Sequence, residues 1–266
     1  MHVHFLDPYR HRASPVHRLD PRVKLLLAVG FIFATALTPP GAWPVYILLF
    51  SLLLAVEILS DLGVGYVLKR SMLALPFMLA AIPILFTLPG DALATLHIGP
   101  WELAISSEGL ERFISIAIKS WLSVQMAVVL ASSTPFPDLL GAMRAVGIPR
   151  LLVAVVGLMW RYLFVLVDEA LRLMRARESR SGYPAGSPYR HGGTLGWRAR
   201  VTGGMAGNLF MRSFDRGDRI YAAMAARGYD GEVRHLPLPP VTGGQRVLLA
   251  GGLSVLGLLV LLSYLL

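Results

Sequence analysis

Leu151-Leu152-Val153-Ala154-Val155-Val156-Gly157-Leu158-Met159-Trp160-Arg161-Tyr162-Leu163-Phe164-Val165-Leu166-Val167 holds one charge, Arg161, in seventeen residues. Whether this stretch crosses a membrane decides the fold. It is just long enough, at the lower end of the roughly 17–25 residues a crossing helix needs. If it crossed, the 79 residues from Asp168 to Arg246 would face outside, with Arg172, Arg175, Arg177, Arg180, Arg190, Arg198, Arg200, Arg212, Arg216, Arg219, Arg227 and Arg234. That runs against the concentration of Lys and Arg in cytoplasmic loops. The stretch therefore reads as the buried half of one long helix, from about Arg150 to Arg180, lying against the cytoplasmic ends of the crossing helices.

The surrounding chain is that of an integral membrane protein. Of its 266 residues 55% are apolar and 15% charged, and the mean hydropathy is +0.60, beyond the soluble balance. Crossings are expected at about Arg22–Leu37, opened by Asp20 as N-cap and Pro21 in the first helical position, and at Ala42–Leu59. These two could be a helical hairpin or two lightly tilted crossings. Further crossings are expected at Tyr66–Leu88, kinked by Pro76 and Pro83, at Leu110–Ser132, and at Val247–Leu266. Arg10, Arg12, Arg18, Arg22 and Lys24 put the N-terminus inside, and the loop carrying Asp91, Glu102 and Glu108 without Lys or Arg lies outside. From Leu140 to His235 there are 15 Lys plus Arg against 7 Asp plus Glu, nearly all of the net +9 of the chain. The expected fold is all-α, with about five transmembrane helices and a cytoplasmic basic domain. Its divisions are a tail at 1–21, a four-helix membrane region at 22–133, the basic domain at 134–240 and a C-terminal transmembrane helix at 241–266. The C-terminus is then outside. The polar tail up to Pro21 has no apolar core and does not read as a signal peptide. No cysteine is present, so disulfide and thiolate chemistry are absent.

The basic domain contains a short echo. Asp168 is followed, after five intervening residues, by Met174-Arg175-Ala176-Arg177, and Asp218, after five intervening residues, by Met224-Ala225-Ala226-Arg227. Two similar helix ends are implied. In the second helix Phe210, Phe214, Gly217, Tyr221, Met224 and Gly228 share one face by the helical period, and Arg212, Arg216 and Arg219 another, with Asp215 four residues before Arg219 as a local ion pair. Gly228 is a natural stop, and Arg227 lies where a cation suits a helix C-terminus. A solvated face with a basic cap would look the same.

The run Arg212 to Gly231, ending Ala226-Arg227-Gly228-Tyr229-Asp230-Gly231, resembles the signature of the transmembrane coupling (T) component of energy-coupling factor (ECF) transporters, cobalt-type CbiQ-like branch. His17-Arg18-Leu19-Asp20-Pro21-Arg22-Val23-Lys24-Leu25 and the run from Arg161 to Glu178 are also similar to that branch. The resemblance covers the chain from about Leu6 onward. It implies two crossed cytoplasmic coupling helices whose tips, Ala176 with Arg177 and Ala226-Arg227-Gly228, dock in grooves on a pair of ATP-binding-cassette (ABC) ATPases, with Arg212, Arg216 and Arg219 as supporting charges. It also implies a substrate-binding membrane subunit as second partner. ATP and magnesium would sit on the ATPases and no cofactor on this chain, which would not itself be an enzyme. One departure stands out. The first tip reads Ala176-Arg177-Glu178, with glycine only at Gly182, so its helix is expected to end later.

Other candidates are fewer. His2, His4, His11 and His17 could suggest capture of a cobalt or nickel ion, since imidazole suits those metals, but their spacing organises no site and a disordered tail is the plainer reading. Lys119 stands near the middle of the fourth crossing, with Arg112 seven residues before it; Arg112 reads as snorkelling, and Lys119 as contacting a companion subunit or lining a substrate path. Gly203, Gly204 and Gly207 read as a turn or a close-packing point before the second helix. A self-sufficient secondary carrier is the competing class, with Lys119, Gln125 and Glu57 as its few polar candidates. No hydrolase or metalloprotease motif is present.

Overall fold

A computed structural model describes residues 8–88, 92–98, 101–180, 194–231 and 239–265, with backbone alone for 92–98 and 101–105. The fold is helical. Helices α1 (Pro21–Leu37) and α2 (Trp43–Ser60) are followed by a broken span, α3 (Val64–Ser71), a 3₁₀ turn (Met72–Ala74), α4 (Leu75–Ala80) and α5 (Ile84–Thr87). Then come α6 (Ser107–Ser133), α7 (Phe136–Ala145), α8 (Arg150–Arg180), α9 (Leu195–Ala226) and α10 (Gly243–Leu265). Five segments are long and apolar enough to cross a membrane: Trp43–Ser60, Val64–Thr87, Ser107–Ser133, Arg150–Arg180 and Gly243–Leu265. At 17 residues α1 is slightly shorter, yet its rise of about 26 Å still approaches the hydrocarbon thickness.

By internal contacts the chain forms two compact units, one of Pro8–Val146 with Pro237–Leu266 and one containing Gly147–Leu236. The first is a helical bundle whose core gathers Phe31 of α1, Leu49 and Leu53 of α2, Leu122 and Met126 of α6 and Leu256 of α10. Helix α7 packs on α1 in this unit.

Local chemistry sets the helix ends. The Asp20 carboxylate accepts from the Arg22 amide at 2.8 Å and Pro21 opens α1, as the sequence predicts. The third span is broken outright where a kink is expected. Around Pro83 the backbone makes i to i−3 bonds, among them Ala81 N to Met78 O and Ile84 N to Ala81 O. Such bonds satisfy groups that proline frees from the α-helical ladder. Among the described residues the one departure from helix is an antiparallel hairpin, Ala92–Ile98 (β1) with Trp101–Ser106 (β2), within the stretch read from sequence as an outer loop.

The helix directions follow from pairs of contacts. Lys24 Nζ at the start of α1 donates to Ser133 O at the end of α6, at 3.0 Å. Lys119 Nζ of α6 donates to Ala36 O near the end of α1, at 3.2 Å. The two helices are thus antiparallel, and each uses a lysine to cap the other's C-terminal carbonyls, where positive charge is favoured. Lys119 thus has an intrachain hydrogen-bond partner in the Ala36 carbonyl. Helix α10 runs parallel to α1. A Cβ added at Gly252 would lie 2.6 Å from Leu27 and one at Gly30 would lie 2.9 Å from Leu253, while Tyr264 at the far end donates to Leu37 O at 3.1 Å. Glycines that admit a neighbouring side chain in this way are the usual device of close membrane-helix packing. Consequently α6 ends, and α1 and α10 begin, at the same end of the bundle.

The N-terminal motif from His17 to Leu25 is the lock of that end. The Arg10 amide donates to Ser132 O at 2.9 Å, beside the Lys24 cap. His17 Nε2 donates to Arg10 O at 3.0 Å while Nδ1 accepts from the Ser14 hydroxyl at 2.7 Å, which assigns the neutral Nε2–H tautomer. Burial holds its imidazole below the ordinary histidine pKa. Lys24→Met should leave Ser133 O without its charged donor and lower bundle stability by about 1.5–3 kcal/mol. A thermal melt of the purified protein in detergent checks this, and an unchanged midpoint would refute the capping role.

Candidate functional site

The second unit is built on α8 and α9. Helix α9 starts at Thr194, whose hydroxyl accepts from the Trp197 amide at 3.3 Å. It runs unbroken to Ala226, so Gly203, Gly204 and Gly207 lie inside it. They form no turn, and a Cβ at any of them would meet nothing within 4 Å among the described residues. Each costs about 1 kcal/mol of helix propensity relative to alanine, and nothing in the structure explains their presence.

Two contacts set the pairing. Arg212 donates to Glu169 Oε1 at 2.8 Å, and Arg172 approaches the other oxygen of the same carboxylate at 3.4 Å. Farther along α8, Arg177 donates to Thr202 Oγ1 at 3.3 Å and stands over the Trp197 ring at 5.8 Å. As α8 advances its partners on α9 recede, so the helices run antiparallel. The half-buried stripe of α9 is Val201, Met205, Leu209, Ser213, Arg216, Ile220 and Met224. The aromatic face read from sequence is instead left open, with Phe210 66%, Phe214 61% and Tyr221 67% exposed. Met224 is its one half-buried member among the residues of the helix.

The predicted arginines divide by task. Arg212 joins α9 to α8. Arg216 is half-buried and Arg219 exposed, and both line a cleft between the two helices. The expected Asp215–Arg219 ion pair is not formed; both side chains line that cleft instead. Arg177 lies within α8, which continues past Ala176 and Glu178 to Arg180, in line with the later end expected; Gly182 lies outside the described residues.

Arg227 is different in kind. It is the C-cap of α9, exposed and without a hydrogen-bond or ion-pair partner among the described residues. Gly228 follows at φ +77°. The Tyr229 amide reaches back to Met224 O at 3.0 Å and the Gly228 amide to Ala225 O at 3.0 Å. This is the Schellman closure, which needs a left-handed residue where glycine stands. Ala226-Arg227-Gly228 is thus a rigid tip that presents one free guanidinium, while the echoing Arg177 is spent on α9. The echo in sequence is not an equivalence in structure.

The apolar half of α8 is largely uncovered by the described residues: Leu151 is 63%, Leu152 54% and Met159 66% exposed, with Val153 and Ala154 buried.

Glu57, Gln125, His11 and His17 bond within the chain. Glu57 is buried, and the Gln125 amide, oriented by the groups around it, donates to Glu57 Oε1 at 3.3 Å and accepts from Trp121 Nε1 at 3.2 Å. Arg112 is exposed. Among the described residues no three His, Cys, Asp or Glu side chains group as a metal site. His11 and His17 bond within the tail, to Tyr9 and to Ser14 with Arg10; His2 and His4 lie outside the described residues.

One unit is a helical bundle, and the other is a helix pair whose second helix ends in an exposed cationic tip. The family model for CbiQ, cobalt transport protein, matches residues 12–237. The cobalt transport protein CbiQ of Rhodobacter capsulatus is 27% identical over 217 residues, covering 82% of this chain and 81% of that protein. The energy-coupling factor transporter transmembrane protein EcfT of Lactococcus lactis is 30% identical over 231 residues, covering 82% and 81%. The nickel permease LarQ of Lactiplantibacillus plantarum is 32% identical over 123 residues, covering 46% and 41%. The matched region includes both the N-terminal lock and the Arg227 tip, and on that extent of agreement the chain is a multi-pass membrane transporter component that belongs to the CbiQ cobalt transport protein family.

Proposed function

We propose that this chain is the membrane-embedded coupling subunit of an ATP-driven ECF-type importer, joining a pair of ABC ATPases to a substrate-binding membrane subunit, with cobalt ions as the substrate. The observation that carries the proposal is the two-sided character of α9. One side is held to α8 through Arg212 and Glu169, and the other leaves Phe210, Phe214 and Tyr221 uncovered on the approach to Arg227. An open apolar stripe with an exposed guanidinium at its end suits helix-in-groove recognition, where burial supplies affinity and the arginine fork supplies geometry. ATP and magnesium then belong to the ATPases, and this chain performs no chemistry of its own. Copurification with candidate ATPase and substrate-binding subunits, followed by ATP-dependent uptake of cobalt and nickel, tests the reading; a chain that carries cobalt without them would be the secondary carrier. Against that carrier stand Lys119, Glu57 and Gln125, all engaged within the bundle.

The orientation follows the same reading. Since α6 ends and α10 begins at one end of the bundle, the chain between them crosses the membrane an even number of times. Helix α9, with Arg198, Arg200, Arg212, Asp215, Arg216, Asp218 and Arg219, is too charged to cross, so α8 does not cross either, whatever its hydropathy. The basic end, with Arg10, Lys24, Lys69 and Arg70, is then cytoplasmic, as is the N-terminus, and the C-terminus is outside. Single cysteines placed by Ser187→Cys and Asp91→Cys in this cysteine-free chain should label from the cytoplasm and from outside, respectively. Labelling of both from one side would overturn this topology.

A further inference from the structure

The cleft between α8 and α9 has a volume of about 300 Å³ and is lined by Glu169, Arg212, Ser213, Asp215, Arg216 and Arg219. Its charge is unbalanced. The Glu169 carboxylate is already taken by Arg212 and Arg172, which leaves Asp215 alone against Arg216 and Arg219. Neither of these two arginines has an ion-pair or hydrogen-bond partner among the described residues. Spacings of four and three residues gather Arg212, Arg216 and Arg219 on one side of the helix, where like charges repel unless an anion joins them. Planar guanidinium groups converging on one cavity match the tetrahedral oxygens of a phosphate.

The position of the cleft narrows the source of that phosphate. Leu166, at the end of the apolar half of α8, lines the cleft beside Glu169. From there back to Leu151 the helix exposes Leu163, Met159, Val155, Leu152 and Leu151. A helix that is apolar and open over its first half, and borders an arginine cleft where it turns polar, matches the cross-section of a leaflet. Acyl chains suit the first part and the phosphate layer the boundary.

We propose that this cleft binds the phosphate of an anionic phospholipid, so that α8 and α9 are anchored to the cytoplasmic leaflet. The ligand is held by Arg216 and Arg219, with Ser213 at the cleft wall. Neither the ATPase tip nor the bundle assigns this role. The proposal rests on α8 lying along the membrane rather than across it; cysteine labelling at residue 187 tests that premise separately.

The test uses the full chain purified in mild detergent with added phosphatidylglycerol or phosphatidylcholine. Native mass spectrometry measures retained lipid, and a thermal melt measures protection. Wild type should retain phosphatidylglycerol over phosphatidylcholine and melt higher with it. Arg216→Gln with Arg219→Gln should weaken phosphatidylglycerol retention roughly 10- to 30-fold, and Arg216→Lys with Arg219→Lys should recover much of it, showing that the fold is intact. Arg12→Gln with Arg200→Gln removes equal charge elsewhere and should change little. Undiminished retention in the glutamine variant would overturn the site, as would an equal loss in the Arg12 and Arg200 control. Protection by inorganic phosphate alone, abolished by the same variant, would make the ligand a free anion. Loss of ATPase copurification with retention unchanged would make the cleft a protein contact. Either result replaces the lipid.

Discussion

Arg227→Glu is expected to leave the protein inserted and folded while releasing its ATPase partners. The substitution acts on an exposed side chain beyond the last turn of α9, so no core contact is lost, and the Gly228 closure depends on backbone bonds that glutamate does not alter. What changes is the exposed Arg227 cation, which has no hydrogen-bond or ion-pair partner among the described residues. An arginine anchor at an interface is commonly worth 2–4 kcal/mol, so association should fall roughly 30-fold or more, and charge reversal adds repulsion wherever arginine met a carboxylate. ATP-dependent uptake should fall with it. Arg227→Lys keeps the charge but loses the planar fork, and should lie between the two. Copurification of the ATPases with each variant, beside uptake assays in cells, reads the series. Undiminished association of the glutamate variant would remove the coupling proposal, whereas the same substitution at Arg177 should mainly loosen α9 from α8, because Arg177 already has partners there.

Gly109→Val should be the most damaging single change within the bundle. Gly109 lies in the first turn of α6, where its amide donates to the Ser106 N-cap at 2.9 Å. A Cβ there would stand 2.8 Å from Leu85 O, 3.0 Å from Ile84 O and 2.7 Å from Ser106 Oγ. Two of these neighbours are backbone carbonyls of α5 and cannot turn away as a side chain would, so α5 and α6 must separate. Overpacking of this kind costs about 3 kcal/mol, seen as a lower melting point in detergent and poorer recovery from membranes. Gly65→Val is the matched control, since a Cβ at Gly65 meets nothing within 4 Å. Equal melting points for the two variants would show that α5 and α6 do not make this close approach.

Much of the architecture is legible in the sequence because its causes are local. Asp20 and Pro21 set the start of α1, and Gly228 ends α9 through its own backbone freedom. The long helix from Arg150 to Arg180 is visible as unbroken helix-forming sequence. The aromatic stripe of α9 follows from the 3.6-residue period. The strands Ala92–Ile98 and Trp101–Ser106 leave little trace in the sequence, because two short strands in a charged loop carry a weak signal next to membrane helices. The glycines at 203, 204 and 207 suggest a turn or a close-packing point, but flanking residues carry the helix through them.

What the sequence by itself determined is the class, the order of the helices and the chemistry of the tip: apolar length implies a membrane, and a glycine stop after arginine implies an exposed cationic end. Only the tertiary structure decided which side chains are spent and which are free. No residue near Lys119 in the chain explains a mid-span ammonium; its hydrogen-bond partner is the carbonyl of Ala36, 83 positions away, near the end of an antiparallel helix. Arg177 and Arg227 look alike in sequence, and only the pairing of α8 with α9 makes one a strut and the other an open contact. The physical reason is the same in each case. Periodicity and capping depend on neighbours along the chain, whereas the satisfaction of a charge depends on whichever helix packs beside it.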